Sequence, residues 1–357
     1  MKMIDRDSGA ASSIGDALSG RWLKQAVLAV VLVWGLLGCN AADKLDDAID
    51  LVNIDRKPID TSITGVNAFV NDSRFGSIRQ QFAEVRNTLG LRHVRVLLNW
   101  STEVQGAPGL APDFSFYDSI IDGIPAGVDA LVILTGLPSW MSNAANWTDG
   151  NPRKTFAQQW VRAATARYGG NGRIVGFQIW NEPNDPANPD NSTLQVVASP
   201  ANYTELLGFA YSEAKANAPA KLVLNGATTS INQNYPDTVD YNRAMRDAGA
   251  QNFIDRWAIH YYGKQFENVV QGGGVADFLN GISEPIWVTE SGAQGVNEQL
   301  AYVETAWPFL REKIPGIERF YYYQFTEATP PDVTYGLRNL SGDSPVSDLY
   351  VYLRDRG

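Results

Sequence analysis

The sequence predicts a single-domain α/β protein of the (β/α)8 type, a TIM barrel, on three observations. Beyond residue 60, eight short apolar runs follow one another, amphipathic stretches separate them, and the runs begin about 30 to 47 residues apart. That spacing holds one strand and one crossover helix. Most of the runs are apolar throughout, as parallel strands covered on both faces must be, rather than alternating like a half-exposed sheet.

In chain order the predicted strands are Ile63–Val70, His93–Trp100, Ala130–Gly136, Ile174–Trp180, Lys221–Gly226, Arg256–Tyr262, Pro285–Glu290 and Arg319–Phe325. Helical spacing appears between them in Ile78–Leu89, Thr155–Tyr168, Tyr203–Ala218, Asp240–Ala248 and Glu298–Ile314. An open doubly wound sheet is the rival arrangement. No glycine-rich phosphate loop follows any of these strands, so the closed barrel is preferred. The stretches Asn143–Pro152, Asp185–Pro200 and Ser230–Asp237 are rich in Asn, Pro and Gly. They follow the third, fourth and fifth strands, on the face where barrels carry their clefts.

Composition narrows the function. A net charge of -10 with no basic patch argues against a nucleic-acid partner. One cysteine excludes an intrachain disulfide and a cysteine-based metal site, and two histidines argue against a metal-dependent hydrolase. The expectation is therefore no metal and no cofactor. Ten Trp and fifteen Tyr supply aromatic faces, which serve cores first and also stack on sugar rings.

The N-terminus reads as a targeting segment. Arg21 and Lys24 precede an apolar run from Ala26 to Leu37, too short for a span that needs about 20 residues. Leu36-Leu37-Gly38-Cys39 resembles the bacterial lipobox, in which the cysteine becomes a lipidated N-terminus. Residues 1–38 are then a lipoprotein-type signal peptide, 39–60 the lipidated Cys39 and an acidic tether, and 61–357 the barrel. The protein is expected to be exported and held at a bacterial envelope by its lipid. Asn40 after the cysteine resembles the signal for outer-membrane sorting in Gram-negative bacteria. No feature of the sequence specifies an oligomeric state.

The chemistry lies at two strand ends. The fourth strand ends in Trp180-Asn181-Glu182-Pro183 and the seventh in Thr289-Glu290-Ser291-Gly292. Carboxylates at the C-terminal ends of barrel strands point into the mouth. Two of them facing each other suit cleavage of a glycosidic bond, at about 5–5.5 Å for a retaining reaction and 6.5–9.5 Å for an inverting one. Both motifs closely resemble glycoside hydrolase clan A. The resemblance implies Glu182 as general acid/base, Asn181 as a contact to the sugar 2-hydroxyl, and Glu290 as nucleophile. Arg95 in His93-Val94-Arg95 resembles the clan's strand-two arginine beside the nucleophile. Trp257-Ala258-Ile259-His260-Tyr261-Tyr262 resembles its sixth strand, where a His and a Tyr flank that group. Alternation along a strand puts His260 and Tyr262 on one face, with Tyr262 placed to donate to Glu290.

Trp140 in Pro138-Ser139-Trp140 resembles a loop of families 39 and 51 more than of family 5. With Trp147, Trp180 and Phe325 it is expected to line sugar subsites. Many clan members end strand eight in a Trp, where this chain has Tyr323-Gln324-Phe325. Glu103, Glu284 and Glu327 are the rival carboxylates, and Glu327, after strand eight, is the strongest of them. His93 is expected to be structural, at the far end of its strand. The function implied is retaining hydrolysis of a β-linked poly- or oligosaccharide by double displacement. A transglycosylase would use the same residues, and a non-catalytic polysaccharide-binding lipoprotein is the alternative from another class.

Overall fold

The computed structural model describes residues 54–340 and 345–356. The apolar run, Cys39 and most of the acidic segment lie outside the described residues. The barrel unit begins at Asp55, ahead of the expected boundary. Its first residues are tied down: Lys57 N–H donates to Glu304 O at 2.9 Å, and Arg56 pairs with the Glu304 carboxylate.

Strands and helices alternate as the spacing requires. β1 (Thr64–Asn67), α1 (Ile78–Asn87), β2 (His93–Asn99), α2 (Ser115–Gly123) and β3 (Asp129–Thr135) open the series. α3 (Pro152–Thr155) continues through a π-helical stretch, Phe156–Val161, into α4 (Arg162–Tyr168). β4 (Ile174–Ile179), α5 (Pro189–Leu194), α6 (Pro200–Asn217), β5 (Leu222–Asn225) and α7 (Asp237–Asp247) form the next part. Then come β6 (Trp257–Tyr262), α8 (Glu267–Val270), α9 (Val275–Leu279), β7 (Ile286–Gly292), α10 (Gln299–Lys313) and β8 (Ile317–Tyr322). A two-stranded pair, β9 (Thr326–Glu327) with β10 (Arg338–Asn339), and α11 (Asp348–Asp355) complete the described chain.

Local chemistry sets several of these boundaries. Ser77 opens α1 with a reciprocal cap: its side chain accepts from Gln80 N–H, and Gln80 Oε1 accepts from Ser77 N–H at 2.8 Å. Pro200 sits in the first turn of α6 behind the Ser199 cap, where its missing N–H costs nothing. The predicted strands are all present, with ends displaced by a few residues. The short elements α2, α5, α8, α9 and the β9–β10 pair have too few residues for a periodic pattern to show.

All the barrel strands run parallel, in the order β5-β4-β3-β2-β1-β8-β7-β6. The ring is nearly closed between β5 and β6, where one bridge joins Leu224 to Arg256. A side chain takes the place of the missing ladder there. Asn225 Oδ1 accepts from Ala258 N–H at 2.7 Å, and its Nδ2 donates to Ala258 O at 3.0 Å. The barrel interior near this seam is packed by Leu131, Leu224, Ala258, Trp287 and Tyr321, which seals the floor beneath the mouth.

Candidate active site

The two strand-end glutamates converge at the C-terminal mouth. β4 hydrogen-bonds normally to Ile179, and then the backbone turns sharply, with φ of 74° at Trp180 and 44° at Glu182. Positive φ is costly for residues with a Cβ, so the surroundings must hold this turn. They do so through Asn191 of α5. Its Oδ1 accepts from the Trp180 indole N–H at 2.7 Å, and its Nδ2 donates to Glu182 O and Asp185 O, both at 2.8 Å. Glu182 N–H donates to Ala227 O at 2.8 Å. Trp180 is therefore an anchor beneath the turn. It is fully buried, so the expectation that it lines a sugar subsite is corrected.

Opposite, a register irregularity between Ile259 and His260 brings His260 level with Glu290 on β7. Glu290 is buried in a nest of donors. Arg95 Nη1 lies 2.6 Å from Oε1, and the Tyr262 hydroxyl donates to Oε2 at 2.9 Å. Burial on its own would raise the Glu290 pKa. The His260 and Arg95 charges, with hydrogen bonds from Arg95 and Tyr262, outweigh it and hold the carboxyl below the ordinary range. Tyr262 is pushed the other way, by burial first and then by the Glu290 charge, so it stays a neutral donor.

Arg95 is itself fixed on four sides. Its Nε donates to Gln178 at 2.8 Å, Nη1 also to Asn67 at 2.7 Å, and Nη2 to Asn181 Oδ1 at 3.0 Å. Asn67 and Gln178 carry no local motif and were missed in the sequence. They are polar residues inside otherwise apolar strands, and only the closed barrel shows that they face one another.

His260 lies between the two carboxylates. Nδ1 is 3.0 Å from Glu182 Oε1 and Nε2 is 3.5 Å from Glu290 Oε1. The Nδ1 contact is a hydrogen bond, whereas Nε2 has no hydrogen-bond partner among the described residues and meets Glu290 only as a longer contact. One oxygen of each glutamate and a His260 nitrogen lie within 4.8 Å of one another. These are donor types that can hold a divalent cation. The Arg95 guanidinium already pairs with the Glu290 carboxylate, which opposes a second cation there. The carboxyls differ in access: the Glu182 side chain is 27% exposed and that of Glu290 10%. Glu182 is thus the carboxylate more open to the cleft and solvent.

The cleft over this pair has a volume of about 440 Å³. Phe69 and Tyr323 supply aromatic surface to it, with Asn99, Thr135, Asn188 and Asp190 as polar lining. Gly136 also borders the cleft, at φ +79°, and a Cβ there would lie 2.1 Å from Asn99 Oδ1. Tyr323 is the aromatic that the end of β8 presents. Its ring centroid is 6.1 Å from Phe69 and 6.2 Å from Tyr262. Phe325 is fully buried, which corrects its expected place in the subsites. Trp140 and Trp147 do not line the cleft either. Trp140 packs edge-on against Trp100 and donates to Gln105 O, while Trp147 donates to Met141 O. The Trp140 indole thus ties the loop after β3 to the one after β2, and the Trp147 indole ties its own loop together.

The rival carboxylates are engaged elsewhere. Glu327 Oε2 accepts from Thr334 Oγ1 and from the backbone of Tyr335 and Gly336, so it clamps the loop after β8. Glu103 accepts from Ser101 and Glu284 from Gln251. His93 lies at the opposite end of its strand, with Nε2 3.0 Å from Ser62 O.

The family model described as cellulase (glycosyl hydrolase family 5) matches residues 52–322. The chain belongs to glycosyl hydrolase family 5. Among solved structures, a family 39 glycoside hydrolase from Bacteroides cellulosilyticus is similar at 19% identity and a TM-score of 0.57, over 84% of this chain and 64% of that one. An exo-β-1,4-mannosidase from an Opitutaceae bacterium matches at 17% and 0.58, over 82% of this chain and 58% of that one. A monomeric β-xylosidase from Caulobacter crescentus matches at 16% and 0.59, over 83% and 68%. No curated protein matches. The chain spans less than two thirds of the length of the first two structures, and identities this low speak for the fold alone. The clan A resemblance read from the motifs agrees with the family 5 match. The Trp140 loop had pointed to families 39 and 51; its first residue, Gly136, borders the cleft, but Trp140 itself does not.

Proposed function

We propose that this family 5 chain is a retaining β-glycosidase acting on a poly- or oligosaccharide. The observation that carries this reading is the approach of one oxygen of Glu182 and one of Glu290 to within 4.8 Å across the barrel mouth. Such an approach supports the close pairing of a double displacement, about 5–5.5 Å, over the wider separation of about 6.5–9.5 Å that an inverting pair keeps for its attacking water. Glu290, held ionised by Arg95 and Tyr262, attacks the anomeric carbon. Glu182 gives its proton to the glycosidic oxygen as that bond breaks, leaving a glycosyl ester on Glu290. Glu182 then takes a proton from water, which attacks the same carbon and frees Glu290. Asn181 has its Oδ1 committed to Arg95, which turns its amide nitrogen into a donor for a sugar hydroxyl. Tyr323 and Phe69 give the ring an apolar face to rest on.

The test is hydrolysis of a panel of β-glycans by wild type, Glu290→Ala and Glu182→Ala. The expected result is cleavage by wild type, a loss of at least about 10³-fold in each variant, and recovery of Glu182→Ala by azide. A glycan cut equally well by Glu290→Ala would remove that residue from the mechanism. We also propose that the chain is exported and anchored through lipidated Cys39, which membrane fractionation tests.

A further inference from the structure

We propose that Asp190 is a specificity-determining residue of the cleft: its carboxylate accepts hydroxyls of a neutral sugar and turns away rings that carry a carboxylate or sulfate. This rests on the glycosidase reading above and goes further, to the charge class of the substrate.

Several partly buried acids of the barrel are met by two or more donors, unlike Asp190, which is set at the cleft. Asp118 is met by Arg167 and Tyr168, Glu84 by Arg338 and Tyr350, and Asp255 by Lys215 and the backbone N–H of Val223. Glu327 has three donors. Each of these has its lone pairs used to hold the fold. Asp190 borders the cleft and has one protein donor among the described residues, Leu137 N–H, at 3.1 Å from Oδ2. No cation among the described residues pairs with it. A carboxylate has about four acceptor positions, so most of those on Asp190 are left for a ligand. Burial shifts its pKa upward, against the Leu137 bond, which is the cost of withdrawing a carboxylate from water without a partner. Sugar hydroxyls are donors that would relieve this cost, much as donors in a binding site are matched to acceptors.

The rest of the lining sets the sign of the field. Arg95 is the one Arg or Lys side chain among the described residues that borders the cleft, and its donors are spent on Glu290, Asn67, Gln178 and Asn181, while His260 is taken up between Glu182 and Glu290. Three carboxyls, those of Glu182, Asp190 and Glu290, border the same space. Asn99, Thr135 and Asn188 beside them are uncharged and able to bind hydroxyls. A uronic acid or sulfated sugar would bring a further negative charge with nothing to pair it. A neutral ring meets only acceptors and donors that suit it.

The experiment compares substrates that differ only at C6: aryl β-glucoside with aryl β-glucuronide, and neutral with C6-oxidised β-gluco-oligosaccharides. Wild type and Asp190→Asn are measured side by side. Asn keeps the acceptor for Leu137 N–H and removes the charge. The expected result is that wild type strongly prefers the neutral member in kcat/KM. Asp190→Asn should narrow that ratio by about tenfold, the size expected for one charge at short range in a partly solvated site, mainly through KM. A purely structural role would lower both substrates together and leave the ratio unchanged. Equal cleavage of both members by wild type, or an unchanged ratio in Asp190→Asn, overturns the proposal while leaving the glycosidase reading standing. If neither member is cut, the ratio of their affinities for wild type and Asp190→Asn, read by ligand-induced thermal shift, decides it by the same criterion. Silence towards every β-glycan counts against the glycosidase reading instead.

Discussion

The charge of Glu290, the proposed nucleophile, is maintained by His260, Arg95 and Tyr262, whose contributions separate on substitution. Tyr262 donates one hydrogen bond to Glu290, and removal of a bond to a charged group costs about 1.5–3 kcal/mol. Tyr262→Phe should therefore lower kcat/KM by about 10- to 100-fold. The sign of the pH effect follows from the direction of the shift. Glu290 must be ionised to attack, and its pKa lies below the ordinary value because these neighbours outweigh burial. Losing the Tyr262 hydroxyl removes one of the lowering influences, so the acidic limb of the kcat/KM profile should move to higher pH. An acidic limb that stays in place would show that Tyr262 does not act on the charge of Glu290. The residues carrying this chemistry were unevenly legible. Glu182 and Glu290 stood out because each ends an apolar strand in a distinctive motif. Asn191 and Asp190, on α5, gave no signal, because their roles depend on how a loop folds back over the mouth. Trp180 misled because a Trp beside a site glutamate suggests a platform, whereas a sharp backbone turn points this one into the core.

Individual elements carry the site by their ends, and those ends are where regular hydrogen bonding gives way. β4 stops at Ile179 so that the chain can turn Glu182 inward, and the β6–β7 register slips so that His260 comes level with Glu290. The weak place in the ring is the β5–β6 seam, where Asn225 substitutes for a ladder. Asn225→Ala should destabilise the fold by about 1–3 kcal/mol for each Ala258 group left unpaired. Urea denaturation measures this, and an unchanged midpoint would mean that the seam closes without Asn225. Apolar runs announced the strands, since burial on both faces leaves a continuous signature. The seam had no such signature: an Asn at a strand end reads as a turn residue until its partner strand is known. The π-helical stretch between α3 and α4 was hidden for a related reason, because its residues are as helix-compatible as their neighbours.

At the scale of the whole molecule, a regular alternation of strands and helices was enough to reveal the barrel, because chain length, spacing and hydrophobicity all depend on that alternation. The substrate side was not legible in this way. Aromatic content suggested several tryptophans in the cleft, yet the two aromatics that border it are Phe69 and Tyr323. Composition counts rings and does not say which way they face. The anchoring proposal also belongs to this scale. Wild type should partition with membranes and Cys39→Ser should appear in the soluble fraction, while equal partitioning of the two would count against lipidation. The central claim is double displacement through Glu290, and the anomeric configuration of the first product tests it most directly. Proton NMR during early hydrolysis of a β-linked substrate should show the β anomer forming first, with the α anomer appearing only as the free sugar mutarotates. If the α anomer appears first, the reaction inverts, no glycosyl ester forms on Glu290, and the close pairing of Glu182 with Glu290 has been misread.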